Sequence, residues 1–339
     1  MIVINEILIQ LPKKNNHIWL LHLWEHCVVR NFEKKLIQHD LDGQGIIING
    51  ATFLDSTSIE IFYSISSLRE VILSIVQMVI KDIPREIIEH EISIISDEIS
   101  YVDINDEEKA VYDGLKITEN DNILNLYKNI NLSVEEVIPK FSQLVEDVKI
   151  ADFSDNRLTL TTESNIVLIS KKYPNFALSQ SSIFLTFDLK LKITNLREYL
   201  IGYFLAFMLG MTEDSIIHKE YLLKNSKYLG YTQYLMYNND AHILGLLDVK
   251  NVNNVEIGDI FKENTFKKIT GKEFQRQLNG FKTYVGLYVS KYDFCKDILK
   301  CCSNETQILF DDFLSLIDTI TVNDIQSLYE RVIYDIKEV

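Results

Sequence analysis

The order of predicted strands and helices occurs twice along this chain of 339 residues. Alternating apolar positions predict strands, and apolar positions at helical spacing predict helices. In the first occurrence a strand at 3–11 is followed by a helix at 19–28 and by strands at 45–53 and 58–64. Helices then begin at residues 68, 82 and 105. In the second occurrence a strand at 181–192 is followed by a helix at 196–209 and by strands at 228–237 and 242–249. Helices then continue to the end of the sequence. This order predicts one α+β unit used twice, with helices covering each sheet.

A polar stretch separates the two occurrences of this element order. Residues 152–165 show little helical periodicity, so we place a domain boundary there. The predicted domains are 1–155 and 165–339, and the chain is long enough for each to have its own core.

Two histidines lie four positions apart in the first predicted helix, in the segment L-H-L-W-E-H over residues 21–26. H-x-x-E-H is the inverted form of a zinc-protease motif. Because residues four apart are neighbours on a helix, His22 and His26 can offer imidazole nitrogens to one metal ion. Glu25 lies near enough to act as a base on a water molecule at that ion. The alternative is an ordinary helix that carries two unrelated histidines.

A zinc site of the hydrolytic kind needs a third protein ligand, and the predicted helix over 82–102 offers one. Glu91 and Glu98 are seven positions apart, about two turns, at the edge of its isoleucine stripe. Unpaired carboxylates are costly beside an apolar face, so both need a cationic partner. We expect Glu98 to bind zinc and Glu91 to orient a histidine. The alternative is a solvated acidic helix face.

The composition and net charge of the chain limit the classes of ligand and the cellular location that we expect. A net charge of −15 disfavours nucleic acid and favours a neutral or basic peptide as ligand. The amino terminus lacks the positive region of a signal peptide, and no uncharged apolar run reaches about 18 residues. We therefore expect a cytoplasmic protein that does not enter the membrane. The four cysteines are predicted to be free thiols: Cys27, Cys295, Cys301 and Cys302.

With these segments in place, the sequence resembles the M16 (insulinase or pitrilysin-like) metallopeptidases, which include the mitochondrial processing peptidases. The family's H-x-x-E-H helix is matched by His22, Glu25 and His26, and its two glutamates seven apart are matched by Glu91 and Glu98. The resemblance covers nearly the whole chain. It implies a Zn²⁺ ion bound by the two histidines and Glu98, with Glu25 as the base and Glu91 as support.

A further likeness lies in the second part of the chain. The family has an arginine followed seven residues later by a tyrosine, and both side chains help to hold the substrate carbonyl. Lys224 and Tyr231 occupy these positions. Lysine supplies charge but lacks the planar fork of arginine, so Lys224 is a departure from the family. A second departure is the segment 49–53, where the family's strand beside the bound peptide is not reproduced in a register that the sequence fixes.

The resemblance implies two homologous halves, each a mainly antiparallel sheet with helices packed on it, that enclose a cavity. The first half would hold the one zinc site. The expected activity is that of a zinc-dependent endopeptidase on short or unfolded peptides, a class that includes the leader and precursor peptides that small bacterial members trim. A non-catalytic subunit and a partner-dependent chain remain open as alternatives. Homodimers and heterodimers with another M16-like chain are both compatible with the sequence.

Overall fold

The computed structural model describes twelve segments of the chain, which are residues 5–14, 16–101, 105–115, 132–154, 157–160, 176–181, 183–193, 195–237, 240–250, 260–261, 269–288 and 307–337. They form two antiparallel sheets with helices packed against them. The predicted α+β class is therefore confirmed. The predicted thiols Cys295, Cys301 and Cys302 lie outside the described residues, whereas Cys27 is free and buried.

The first sheet has six strands in the order β10-β5-β4-β1-β3-β2. Their bounds are β1 Asn5–Pro12, β2 Ile47–Thr52, β3 Ser56–Tyr63, β4 Lys149–Ser154, β5 Arg157–Leu160 and β10 Gln307–Leu309. β1 lies at the centre and pairs with both β3 and β4. β2 lies at one end and pairs only with β3 among the described strands.

Five helices follow from the first part of the chain. They are α1 Ile18–Gln38, α2 Arg69–Lys81, α3 Arg85–Ile99, α4 Asp106–Gly114 and α5 Val134–Leu144. The side chain of His17 begins α1 by accepting a hydrogen bond from the backbone N–H of Trp19. Trp19, Trp24 and Phe32 on α1 are fully buried, so this helix supplies much of the core over the first sheet.

The second sheet has four strands in the order β6-β7-β9-β8. Their bounds are β6 Phe176–Gln180, β7 Phe184–Leu191, β8 Gly230–Tyr237 and β9 Asp240–Asp248. The predicted alternation in β7 places Leu185, Phe187 and Leu189 in the core beneath helix α6 (Leu196–Gly210). A short helical segment, π-helical at His218–Leu222 and α-helical at Leu223–Asn225, precedes β8. The longer helices that follow are α7 Gly271–Tyr288, α8 Phe310–Ile317 and α9 Val322–Lys337.

Each sheet contacts an element from the other part of the chain. Helix α4 lies on the second sheet, where Ala110 packs in a buried cluster with Phe184 and Leu246. Gly114 at the end of α4 lies so close that an added Cβ would be 2.9 Å from Leu244. In the opposite direction, β10 pairs with β5 of the first sheet. The two sheets are thus connected by more than the chain between them.

None of the described helices combines the length and the apolar character needed to span a lipid bilayer.

Candidate metal centre

Helices α1 and α3 pack side by side and bring three polar side chains together. His22 and His26 lie one turn apart on α1, and Glu98 lies in the last turn of α3. Glu98 Oε2 is 3.8 Å from His22 Nε2 and 3.5 Å from His26 Nε2. Helical spacing accounts for the proximity of His22 and His26, and the packing of α3 against α1 adds Glu98.

The three side chains fit a zinc ion in number, type and spacing. One ligand atom from each lies within 4.8 Å of the others, and no second such group occurs in the described part of the chain. Two nitrogen or oxygen ligands of a tetrahedral zinc ion are about 3.4 Å apart, given bonds of ~2.1 Å. The two separations from Glu98 to the histidine nitrogens, 3.5 and 3.8 Å, are close to this value. Glu98 is 49% exposed, so the group is open to solvent on one side.

Glu91 contacts the Nδ1 side of the His26 ring. Its carboxylate is only 3% exposed and lies 3.2 Å from His26 Nδ1. Arg30 Nε donates to the other oxygen of Glu91 at 3.1 Å. A carboxylate at Nδ1 keeps the proton of a neutral imidazole on that nitrogen, which leaves the lone pair on Nε2. His26 therefore presents Nε2 toward His22 and Glu98.

His22 is prepared for a metal ion by its surroundings. Burial, and next the adjacent His26, lower the pKa of His22 to about 4. The two rings meet edge to face with centroids 4.7 Å apart. A neutral imidazole is the form that binds zinc, so near neutral pH His22 needs to lose no proton.

Glu25 is buried on α1 where this helix contacts strand β2. It is 7% exposed, and its Oε2 accepts a hydrogen bond from Thr52 Oγ1 at 2.8 Å. Burial raises the pKa of Glu25, and the Thr52 bond opposes that shift. Gly50 lies beneath the same carboxylate, where an added Cβ would be 2.3 Å from Oε1. Sequence analysis did not identify Thr52 or Gly50, although a glycine within a strand is a signal of close approach.

Lys224 and Tyr231 are occupied by other partners. Lys224 Nζ lies 2.6 Å from Glu220 on the surface, and the Tyr231 hydroxyl donates to Glu107 Oε1 at 2.7 Å. Burial, and next Glu107, raise the pKa of Tyr231. Within the described chain, neither side chain forms a hydrogen bond or ion pair with His22, His26 or Glu98. The structure thus brings His22, His26 and Glu98 together and gives Lys224 and Tyr231 other partners, Glu220 and Glu107.

Comparisons with known proteins identify similar folds among solved structures. No family model matches this sequence, and no curated protein does. Among solved structures, the chain is similar to a protease from Helicobacter pylori, with a TM-score of 0.63 at 12% identity over 97% of this chain and 90% of that chain. A conserved protein from Enterococcus faecalis V583 has a TM-score of 0.64 at 12% identity, over 97% of this chain and 91% of that chain. A peptidase M16 inactive domain from Pseudomonas fluorescens has a TM-score of 0.60 at 13% identity, over 97% of this chain and 89% of that chain.

At these identities the likeness establishes the fold. The chain has the α+β architecture of these three structures over nearly its whole length. One of the three is named a protease, and another is named as a domain of peptidase M16, the family that the sequence resembles. The M16 domain is described as inactive, so the fold does not by itself assign an activity.

Proposed function

We propose that this protein is a zinc-dependent endopeptidase of the M16 type that cleaves short or unfolded peptides. The observation that carries the proposal is the group of His22, His26 and Glu98, whose ligand atoms lie within 4.8 Å of one another, with buried Glu25 adjacent in sequence. Two nitrogens and one oxygen from three residues leave a position open for substrate, as hydrolytic zinc sites require.

The residues of the chain have distinct roles in this proposal. His22, His26 and Glu98 bind the Zn²⁺ ion, and Glu91 keeps His26 in the tautomer that does so. When bound, zinc would polarise the scissile carbonyl and make water a stronger nucleophile. Glu25 takes the proton from the attacking water and returns it to the leaving amine. Its buried position, which raises its pKa, suits a carboxyl group that must both accept and donate.

Strand β2 supplies a surface for an extended substrate. It is the end strand of the first sheet, and its residue Ile47 is 63% exposed. A peptide can add to such an edge through backbone hydrogen bonds. Thr52 on β2 contacts Glu25, so a peptide on this edge would lie beside the proposed base. An edge of this kind admits extended chains, such as leader or precursor peptides. Two similar halves that enclose the peptide, each a domain as predicted, belong to the same proposal.

A specific observation favours a second candidate function, that of a partner-dependent subunit. Tyr231 donates its hydroxyl proton to Glu107, and Lys224 replaces the arginine that the resemblance leads us to expect. A second M16-like chain could supply the missing arginine and tyrosine in a heterodimer. A homodimer would supply the same residues as the chain itself.

Zinc content and peptide hydrolysis test the two candidates together. Wild type, Glu25→Gln and the exposed control Glu33→Gln on the same helix would be compared on a mixture of quenched fluorescent peptides. We expect about one zinc per chain in all three proteins and loss of hydrolysis only in Glu25→Gln. Zinc without hydrolysis by wild type would favour the partner-dependent subunit. A chain that binds no zinc would overturn the proposal.

A further inference from the structure

We infer that Thr52 is the positioning residue for the base, and that Thr52 and Gly50 together form a seat for the Glu25 carboxylate on strand β2. The inference rests on the proposed function, because it assigns Glu25 the role of base. It adds a residue that determines where that base lies and links it to the strand that would bind substrate.

The hydrogen bonds at the seat have one consistent direction. An ionised carboxylate has no proton to give, so Thr52 Oγ1 donates to Glu25 Oε2 at 2.8 Å. Having used its proton, the Thr52 hydroxyl can only accept from Thr57 Oγ1, which is 2.9 Å away. Thr57 is fully buried. The chain Thr57 to Thr52 to Glu25 therefore fixes the rotamer of Thr52 and aims its proton at one carboxylate oxygen.

Gly50 determines how closely the carboxylate can approach the strand. A Cβ on Gly50 would lie 2.3 Å from Glu25 Oε1 and 2.8 Å from its Cγ, both much shorter than a van der Waals contact. Gly50 and Thr52 are two positions apart on β2, so they share one face of the strand. Glycine provides the space and threonine provides the hydrogen bond.

The seat couples the base to the substrate strand. β2 is held on one side by β3, from Ile47 opposite Phe62 to Thr52 opposite Thr57, while its other side has no strand partner within the described residues. A peptide that pairs with the outer side would order the same backbone that carries Gly50 and Thr52. Substrate binding would then reduce the motion of Glu25 at the moment when it is needed.

Three variants test the role of Thr52. Thr52→Val removes the hydroxyl at nearly constant volume, Thr52→Ser keeps it, and Gly50→Ala fills the space beneath Glu25. Loss of one hydrogen bond to the base is expected to lower kcat about tenfold in Thr52→Val, with KM nearly unchanged. Thr52→Ser is expected to retain most of kcat, and Gly50→Ala to lose more than Thr52→Val does.

Two further measurements separate positioning from damage to the site. Zinc per chain, and binding of a fluorescent extended peptide to the zinc-free protein, are expected to be the same in wild type, Thr52→Val and Thr52→Ser. Wild-type kcat in Thr52→Val, or equal loss in Thr52→Ser and Thr52→Val, would overturn this inference alone. Full hydrolysis by Glu25→Gln, or a wild-type chain without zinc, would overturn the proposed function and this inference with it.

Discussion

Tyr231 donates its only hydroxyl proton to Glu107, a residue of helix α4 that lies 124 positions earlier in the chain. A phenol has one proton, so in this arrangement Tyr231 cannot also donate to the carbonyl of a substrate. The contact is reinforced by the apolar packing of α4 on the second sheet. If Tyr231 serves the substrate as the sequence predicts, its hydroxyl must first leave Glu107.

Release of Tyr231 is therefore expected to increase activity. Glu107→Ala removes the acceptor, and we expect a higher kcat/KM in the peptide assay. Tyr231→Phe removes the donor and should lower kcat by about 100-fold, the usual effect of losing a hydrogen bond to an oxyanion. Glu108→Ala, the adjacent carboxylate on the same helix, is the control. A loss in Glu107→Ala as large as that in Tyr231→Phe would show instead that Glu107 holds the tyrosine in its working position.

Zinc affinity should depend on Glu91 although Glu91 is not a ligand. Glu91→Gln removes the charged acceptor at His26 Nδ1 and leaves Arg30 without its buried partner. We expect zinc to bind about 10- to 100-fold more weakly, measured by competition with a chromogenic chelator. Glu89→Gln, an exposed change on the same helix, should leave affinity unchanged. Equal affinity in both variants would contradict the role of Glu91.

The stability of the zinc-free protein should fall on acidification because of His22. The pKa of His22 is about 4 in the folded chain, against 6.5 for an unperturbed histidine, so the unfolded chain binds the proton more readily. Its contribution is therefore complete above pH 6.5 and is lost progressively as the pH falls toward about 4. Urea unfolding above and within this window would measure the loss. A His22→Gln variant should lose less stability over the same interval, and an identical slope would contradict the expectation.

Gly245 is required by the packing of the second sheet. An added Cβ would lie 2.0 Å from the ring of Phe187, which is fully buried. Gly245→Ala is therefore expected to destabilise the protein by ~1–3 kcal/mol, the usual cost of overpacking a core. Gly286→Ala lies on an exposed face of α7 with open space around it and should stabilise the helix slightly. Thermal unfolding of both variants checks the difference, and similar shifts in Tm would show that the core adapts.

The two parts of the candidate ligand group could each be predicted because the geometry within one helix is local, whereas the contact between α1 and α3 depends on tertiary packing. Helical periodicity fixes which side chains of one helix share a face, so His22 with His26, and Glu91 with Glu98, followed from spacing alone. Thr52 could not be found in this way. Its contact with Glu25 depends on the register of β2 and on how closely α1 crosses it, and both are set by packing between distant segments.

The packing position of helix α4 also could not be predicted from the sequence. Its apolar side, which includes Ala110 and Gly114, predicts that it packs on something, but not on which sheet. The same is true of Lys224 and Tyr231, whose spacing along the chain gives no information about Glu220 or Glu107. Partners of this kind become visible only in three dimensions.

The pairing of β10 with β5 has a consequence for synthesis on the ribosome. The first sheet has most of its strands by Leu160, but the edge of β5 stays uncovered until Gln307–Leu309 has been translated. In the first part of that interval, until β9 ends at Asp248, α4 also lacks the complete sheet on which it packs. An open strand edge on a nascent chain can pair with other chains. The order in which this protein is made therefore leaves the β5 edge open to such pairing until Gln307–Leu309 has been translated.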